Sequence, residues 1–145
     1  MTPERQALVK KSWLLIEQHG RQTSTVFYAR LFEIAPESRQ LFAMVDMTTQ
    51  GQKLMLMLTM IVEWLDDPDQ LVPTLAALAR RHVGYGVRGA HYDLVGDALL
   101  WSFEQVLGSS FTPEMRQAWA EAYLLIVSIM RRAVERSSGE MAVRS

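Results

Sequence analysis

Along every long segment of this chain, apolar residues recur three or four positions apart, and no long segment keeps the two-residue alternation of a half-buried strand. That spacing puts side chains on one side of a helix, so the chain must bury its apolar surface by packing helix on helix. The expectation is an all-α fold of seven to eight helices, divided by proline, glycine and aspartate breaks. Thr2 and Pro3 read as an N-cap and first helical residue. The apolar positions Ala7, Leu8, Trp13, Leu14 and Ile16 follow, and Gly20 ends that helix. A second helix, from about Gln22 to Ile34, turns Val26, Phe27, Tyr28 and Leu31 inward until Pro36 breaks it. A helical turn from Glu37 to Phe42 and a loop from Ala43 to Thr48 follow. From Thr49, a helix has Leu54, Met57, Leu58, Ile61 and Leu65 on one face, widened by Met55, Leu56 and Met60. Such a helix is expected to be buried on nearly all sides.

Asp66-Asp67-Pro68-Asp69 is a clear break. The next helix ends at Gly84 and Gly86, and a long one from about Ala90 to Leu107 turns Val95, Leu99, Phe103 and Val106 inward. Gly108-Ser109-Ser110 reads as a loop. Thr112-Pro113-Glu114 opens the last helix, which buries Trp119, Tyr123, Ile126, Val127 and Met130. Residues 1–136 read as one domain and 137–145 as a polar, frayed tail.

Composition removes several classes of function. With 145 residues, 49% of them apolar, the chain can bury a real core and is not a disordered one. Fifteen basic against sixteen acidic residues supply no basic face for nucleic acid. The absence of cysteine excludes disulfides, thiolate zinc, iron–sulfur clusters, a catalytic thiol and thioether-linked haem. No signal pattern opens the sequence, and the apolar stretch Leu54–Leu65 is too short to span a membrane and contains Glu63. The expectation is a soluble, cytoplasmic protein without a membrane partner.

The fourth member of one apolar stripe is a histidine. Leu71, Leu75, Leu78 and His82 lie at i, i+4, i+7 and i+11. An imidazole set against leucines needs a partner, since an unpaired buried polar group costs a few kcal/mol. A backbone carbonyl, a carboxylate and iron are the three candidates.

Ordered landmarks then point to a family. Phe27-Tyr28-Ala29-Arg30-Leu31-Phe32, Pro36 and Leu41-Phe42 are followed by Gln50, Lys53 and Leu54 on one helix. Arg81-His82, Val95-Gly96-Asp97-Ala98-Leu99-Leu100, Phe111-Thr112-Pro113, Trp119 and Tyr123 complete the series. No single motif is specific; the order is, with 32 positions between Gln50 and His82. In this series the chain resembles the bacterial single-domain globins and is similar to their neuroglobin-like branch, from about Gln6 to Met130.

This resemblance implies a globin fold around a non-covalent b-type haem. It makes His82 the proximal iron ligand, with the Leu78 carbonyl as acceptor for the second ring nitrogen. It places Tyr28, Gln50 and Leu54 on the distal side: two hydrogen-bond donors toward bound dioxygen, and an apolar wall. Phe42 and Val87 become apolar haem contacts, and Lys53, Arg81 and Tyr85 partners for the propionates. Without the family, each has a plainer reading: a structural histidine, an exposed glutamine, a core tyrosine, a packed phenylalanine, solvated charges. Met44, Met47, Met55, Met57 and Met60 read as deformable core near the distal side, His19 as a helix-end residue and His91 as exposed.

Two departures refine the expectation. Neuroglobins place a distal histidine where this chain has Gln50, so the sixth iron position is expected to be open. The peroxidase-like proximal site of some bacterial haemoglobins pairs a tyrosine with a glutamate. Tyr92 matches the tyrosine, but Val134, not Glu135, falls at the glutamate position. The resemblance implies reversible, high-affinity binding of dioxygen, with nitric oxide and carbon monoxide as further ligands. The alternative is a nitric oxide dioxygenase or other haem redox enzyme served by a separate reductase, since no G-x-G-x-x-G fingerprint is present. A third reading, a globin-fold module without haem, leaves His82 structural.

Overall fold

The computed structural model describes the backbone of residues 1–84 and 89–144, and the side chains of residues 1–83 and 90–136. The described residues form α1 (Pro3–Glu17), α2 (Gly20–Ile34), a 3-10 segment (Pro36–Phe42), α3 (Met47–Glu63), α4 (Pro68–Gly84), α5 (Gly89–Leu107), a 3-10 turn (Gly108–Ser110) and α6 (Pro113–Arg144), with no strand among them. The all-α expectation holds. No helix among the described residues is long and apolar enough to cross a membrane.

The caps explain most boundaries. Thr2 Oγ1 accepts the Arg5 N–H at 3.3 Å, and Thr112 Oγ1 accepts that of Met115 at 3.1 Å, as the sequence predicts. Asp46 begins α3 two residues ahead of the expected Thr49, because its carboxylate accepts both the Thr48 N–H (3.2 Å) and the Thr49 hydroxyl (2.9 Å). Gly20, expected to end α1, is instead the first residue of α2. His19 is the N-cap residue of α2, and its carbonyl accepts the Thr23 N–H and hydroxyl, both at 2.8 Å. Gly108 turns the chain at φ 55°, a left-handed conformation that glycine adopts without strain, and the expected loop is a 3-10 turn.

Two apolar clusters organise the molecule. The first joins Val9, Trp13 and Ile16 of α1 to Phe27, Tyr28 and Leu31 of α2, Leu58 and Val62 of α3, Phe103 of α5 and Trp119 of α6. Trp119 packs edge-on to Phe103 with centroids 4.8 Å apart, and its indole N–H donates to the buried Ser12 hydroxyl at 2.7 Å. The Trp13 N–H donates to Thr59 Oγ1 at 3.1 Å, tying α1 to α3. The second cluster joins Ile61 of α3, Leu71, Leu75 and Ala79 of α4, and Met130 of α6, with Leu78, Tyr92 and Val134 packed against it.

Some inward assignments are corrected. Of the apolar positions on α1, Trp13 and Ile16 join Val9 and Ser12 in the core stripe, while Ala7 is exposed and Leu14 is 60% exposed. On α3 the buried residues are Gly51, Leu58, Ile61 and Val62, while Leu56 is 63% exposed. That helix packs on α1 and α2 and leaves its far flank to solvent, so its apolar breadth overstated its burial. His91, expected to be exposed, is half-buried in the first turn of α5.

Candidate functional site

At the edge of the first cluster, α2 and α3 bring Tyr28 and Gln50 together from positions 22 apart in sequence: Gln50 Nε2 donates to Tyr28 Oη at 3.1 Å. The tyrosine is buried and boxed by aromatic rings. Phe27 lies edge-on at 4.9 Å and Phe42, at the end of the 3-10 segment, edge-on at 5.3 Å. Burial pushes the Tyr28 hydroxyl above its ordinary value near 10, while the bond from Gln50 works in the opposite direction. The phenol therefore keeps its proton at neutral pH. Its oxygen already accepts from Gln50, so the hydroxyl hydrogen is directed to another acceptor. Gln50 thus holds the Tyr28 oxygen in place, and the Tyr28 hydrogen is left to point away from Gln50.

Leu54, one turn beyond Gln50 on α3, is half-buried against the first cluster, and Phe42 packs on Phe32 with centroids 5.7 Å apart. Lys53 is exposed on the neighbouring face of α3, and Arg81 is exposed on α4 beside His82. Tyr85 and Val87 lie outside the described residues. Of the methionines expected to form deformable core, Met47, Met55, Met57 and Met60 are half-buried. Met44 is 98% exposed, because it sits in the loop before the Asp46 cap.

His82 stands on the second cluster. Leu71 and Leu75 are buried, Leu78 is half-buried against them, and half-buried His82 ends the stripe one turn later. Its Nδ1 lies 2.8 Å from the carbonyl oxygen of Leu78, the acceptor expected from the sequence. A carbonyl can only accept, so Nδ1 bears a hydrogen, and in the neutral ring the lone pair is then on Nε2. The bond orients the ring with reference to its own helix, and that tautomer is the one a metal ligand needs.

Behind this wall is a brace that helical periodicity does not reveal. The Tyr123 hydroxyl donates to the backbone carbonyl of Tyr92, and its ring covers Gly96 so closely that a Cβ there would stand 2.7 Å from it. Burial raises the Tyr123 hydroxyl far above its ordinary value. The Arg131 guanidinium lies over the Tyr92 ring at 5.7 Å. Val134 packs into the second cluster and Glu135 is exposed, in keeping with the expected departure from a tyrosine–glutamate arrangement.

The donor chemistry fits a haem. Among the described residues, no three His, Cys, Asp or Glu side chains come together to hold a metal ion. One imidazole able to present Nε2 would suit an iron whose remaining protein-independent ligands come with the cofactor. The apolar side chains of Phe42 and Leu54 suit the porphyrin, and the exposed Lys53 and Arg81 suit carboxylates at its rim.

Comparison with known proteins agrees. The globin family model matches residues 25–130. The chain is 39% identical over 125 residues to a flavohaemoprotein of Bordetella parapertussis, covering 85% of this chain and 31% of that protein. It is 34% identical over 132 residues to one from Chromobacterium violaceum, covering 90% of this chain and 33% of that protein. The chain thus spans about a third of the length of the flavohaemoproteins it matches. Among solved structures, an engineered carbene transferase based on a candidate nitric oxide dioxygenase of Rhodothermus marinus superposes with a TM-score of 0.83 at 26% identity, covering 100% of this chain and 99% of that one. These matches do not single out a neuroglobin-like branch. With its helices, its ordered landmarks and a family match over most of its length, the chain belongs to the globin family.

Proposed function

We propose that this globin is a haem protein that binds dioxygen reversibly and with high affinity, with residues 1–136 as the binding domain and 137–145 as a tail. A b-type haem would supply the ferrous iron that takes up the gas. His82 Nε2 would be the protein's ligand to it, and the Leu78 carbonyl, by accepting from Nδ1, selects the neutral tautomer that presents Nε2 and aligns the ring. The Tyr28 hydroxyl donates to the bound ligand from the distal side, in a buried setting where a hydrogen bond to a partly charged acceptor is strong. Gln50 fixes the Tyr28 oxygen, and with its amide engaged there it would not itself be a ligand to the iron. Leu54 and Phe42 limit space and exclude water. We assign Lys53, Arg81 and Tyr85 to the propionates and Val87 to the porphyrin, Tyr85 and Val87 on the family resemblance alone. We assign the protein to the cytoplasm.

The observation that carries this reading is the Gln50-to-Tyr28 hydrogen bond at 3.1 Å, in which the amide donates to a phenol set in a buried aromatic box. The test is the absorption spectrum of haem-loaded protein, ferric, then reduced, then exposed to oxygen. A five-coordinate ferrous band that converts to a stable oxygenated form is expected. A sharp six-coordinate ferrous spectrum would place an internal residue on the iron and overturn the open site.

A second reading, a nitric oxide dioxygenase, draws on the flavohaemoprotein relatives and the candidate dioxygenase among the structural neighbours. Multiple turnovers require electrons from a reductase. Sustained nitric oxide consumption with reductant favours this reading; a single turnover favours oxygen carriage. Carbon monoxide serves as the inert probe of the same pocket.

A further inference from the structure

Helices α2 and α3 meet in a register of successive turns. At Gly20, a Cβ would lie 3.5 Å from the Met55 methyl; at Gly51, one would lie 2.6 Å from Ser24 Oγ and 3.1 Å from Ser24 Cβ. One turn beyond Ser24 on α2 is Tyr28, and immediately before Gly51 on α3 is Gln50, the two partners of the distal hydrogen bond. The two helices thus touch at Ser24 and Gly51 and bond at Tyr28 and Gln50, with about one helical turn between contact and bond on α2 and a single residue on α3.

Ser24 is buried, and its hydroxyl donates to the Arg21 carbonyl at 3.1 Å, which pins its rotamer. Gly51 is buried as well. A side chain at position 51 would meet first the Ser24 oxygen and then its Cβ. The oxygen can rotate away only by giving up its bond to the Arg21 carbonyl; the Cβ is fixed to the backbone. An added methyl therefore moves one helix relative to the other. The bond at 3.1 Å has little slack before about 3.5 Å, where it ceases to be one.

We infer that the Ser24–Gly51 contact is the spacer that sets the Tyr28–Gln50 hydrogen bond, so that both are positioning residues of the distal pair. The spacer rests on the proposed oxygen-binding role only for its effect on ligands; its effect on the bond itself does not.

The experiment is a graded series on haem-loaded protein: Gly51→Ala, Ser24→Ala/Gly51→Ala, and Ser24→Gly/Gly51→Ala, with Tyr28→Phe as reference. Three quantities are read: the Gln50 side-chain amide resonance in the ferrous carbon monoxide form, the C–O stretching frequency, and the oxygen release rate. Gly51→Ala should move the amide resonance, raise the frequency toward that of Tyr28→Phe and speed release about tenfold, the scale of one lost hydrogen bond. The Ser24→Ala pair should fall between, and the Ser24→Gly pair, which clears both Oγ and Cβ, should return to native values. A folded Gly51→Ala protein with native resonance and frequency overturns the inference. So does a Ser24→Gly/Gly51→Ala protein no nearer native than Gly51→Ala alone. If Gly51→Ala does not fold, the order of the two double variants decides in the same way. If the resonance moves while the frequency stays native in both Gly51→Ala and Tyr28→Phe, the spacer stands and the ligand role of Tyr28 fails.

Discussion

On the His82 side of the site, the functional ring is held by its own helix: Nδ1 donates to a carbonyl four residues earlier, and the leucines beneath it come from the same stripe. On the Tyr28 side, nothing comparable is local. The hydroxyl meets an amide 22 positions away, and the pair exists only because α2 and α3 cross at a given distance. The first wall is therefore expected to tolerate changes in tertiary packing that would disable the second. On the proposed function the contrast also divides labour: the histidine wall would hold the cofactor, and the tyrosine wall would determine how long a ligand stays.

The largest expected effect follows from that division. His82→Ala should weaken haem retention by more than about 100-fold, above the range seen when only an outer partner of a metal ligand is lost. His19→Ala and His91→Ala should leave it near native, since neither stands at the end of the leucine stripe. Haem transfer to an excess of apo-acceptor gives the rates. Equal loosening by all three substitutions would remove the ligand assignment.

The tyrosine wall should respond in the opposite pattern, keeping haem and losing ligand. Tyr28→Phe deletes a charge-assisted donor worth about 1.5–3 kcal/mol, so oxygen release should accelerate roughly 10- to 100-fold. Gln50→Ala removes the group that holds the Tyr28 oxygen and leaves the donor itself, so a smaller change, about three- to tenfold, is expected. Because Gln50 works through Tyr28, the double variant should release oxygen no faster than Tyr28→Phe alone. Additive effects in stopped-flow mixing would mean that each side chain reaches the ligand separately.

The same contrast explains what was legible in the sequence. Caps at Thr2 and Thr112, the leucine stripe and the Leu78 carbonyl are matters of spacing within one helix, and they stand where spacing puts them. The Asp46 cap was obscured because Met44, Val45 and Met47 around it are apolar and Thr49 offers a competing start. Leu56 lies on a helix whose apolar breadth implies burial all round, yet only neighbouring helices decide which flank of an apolar helix is covered. Tyr28 and Gln50 could be named through family resemblance. Their mutual bond, and the Ser24–Gly51 contact beside it, depend on how two helices meet, and no periodicity within one helix records that.

The smallest expected effect is a flat line. Burial raises the Tyr28 hydroxyl above its ordinary value near 10, so the donor keeps its proton throughout the neutral and mildly alkaline range. Oxygen release should accordingly be constant from about pH 7 to the region of pH 10. Stability should behave differently. The folded state favours neutral Tyr28, Tyr92 and Tyr123, all raised chiefly by burial, whereas the unfolded chain ionises them near 10. Their contribution is thus fully present below that value and is lost as pH climbs from there through the raised values. Denaturant midpoints taken across this range should hold and then fall, with a shallower fall in Tyr28→Phe, which has one buried phenol fewer. If oxygen release instead accelerated between pH 7 and 9 while the midpoint held, a group other than Tyr28 would be governing the ligand, and the distal wall would need a different donor.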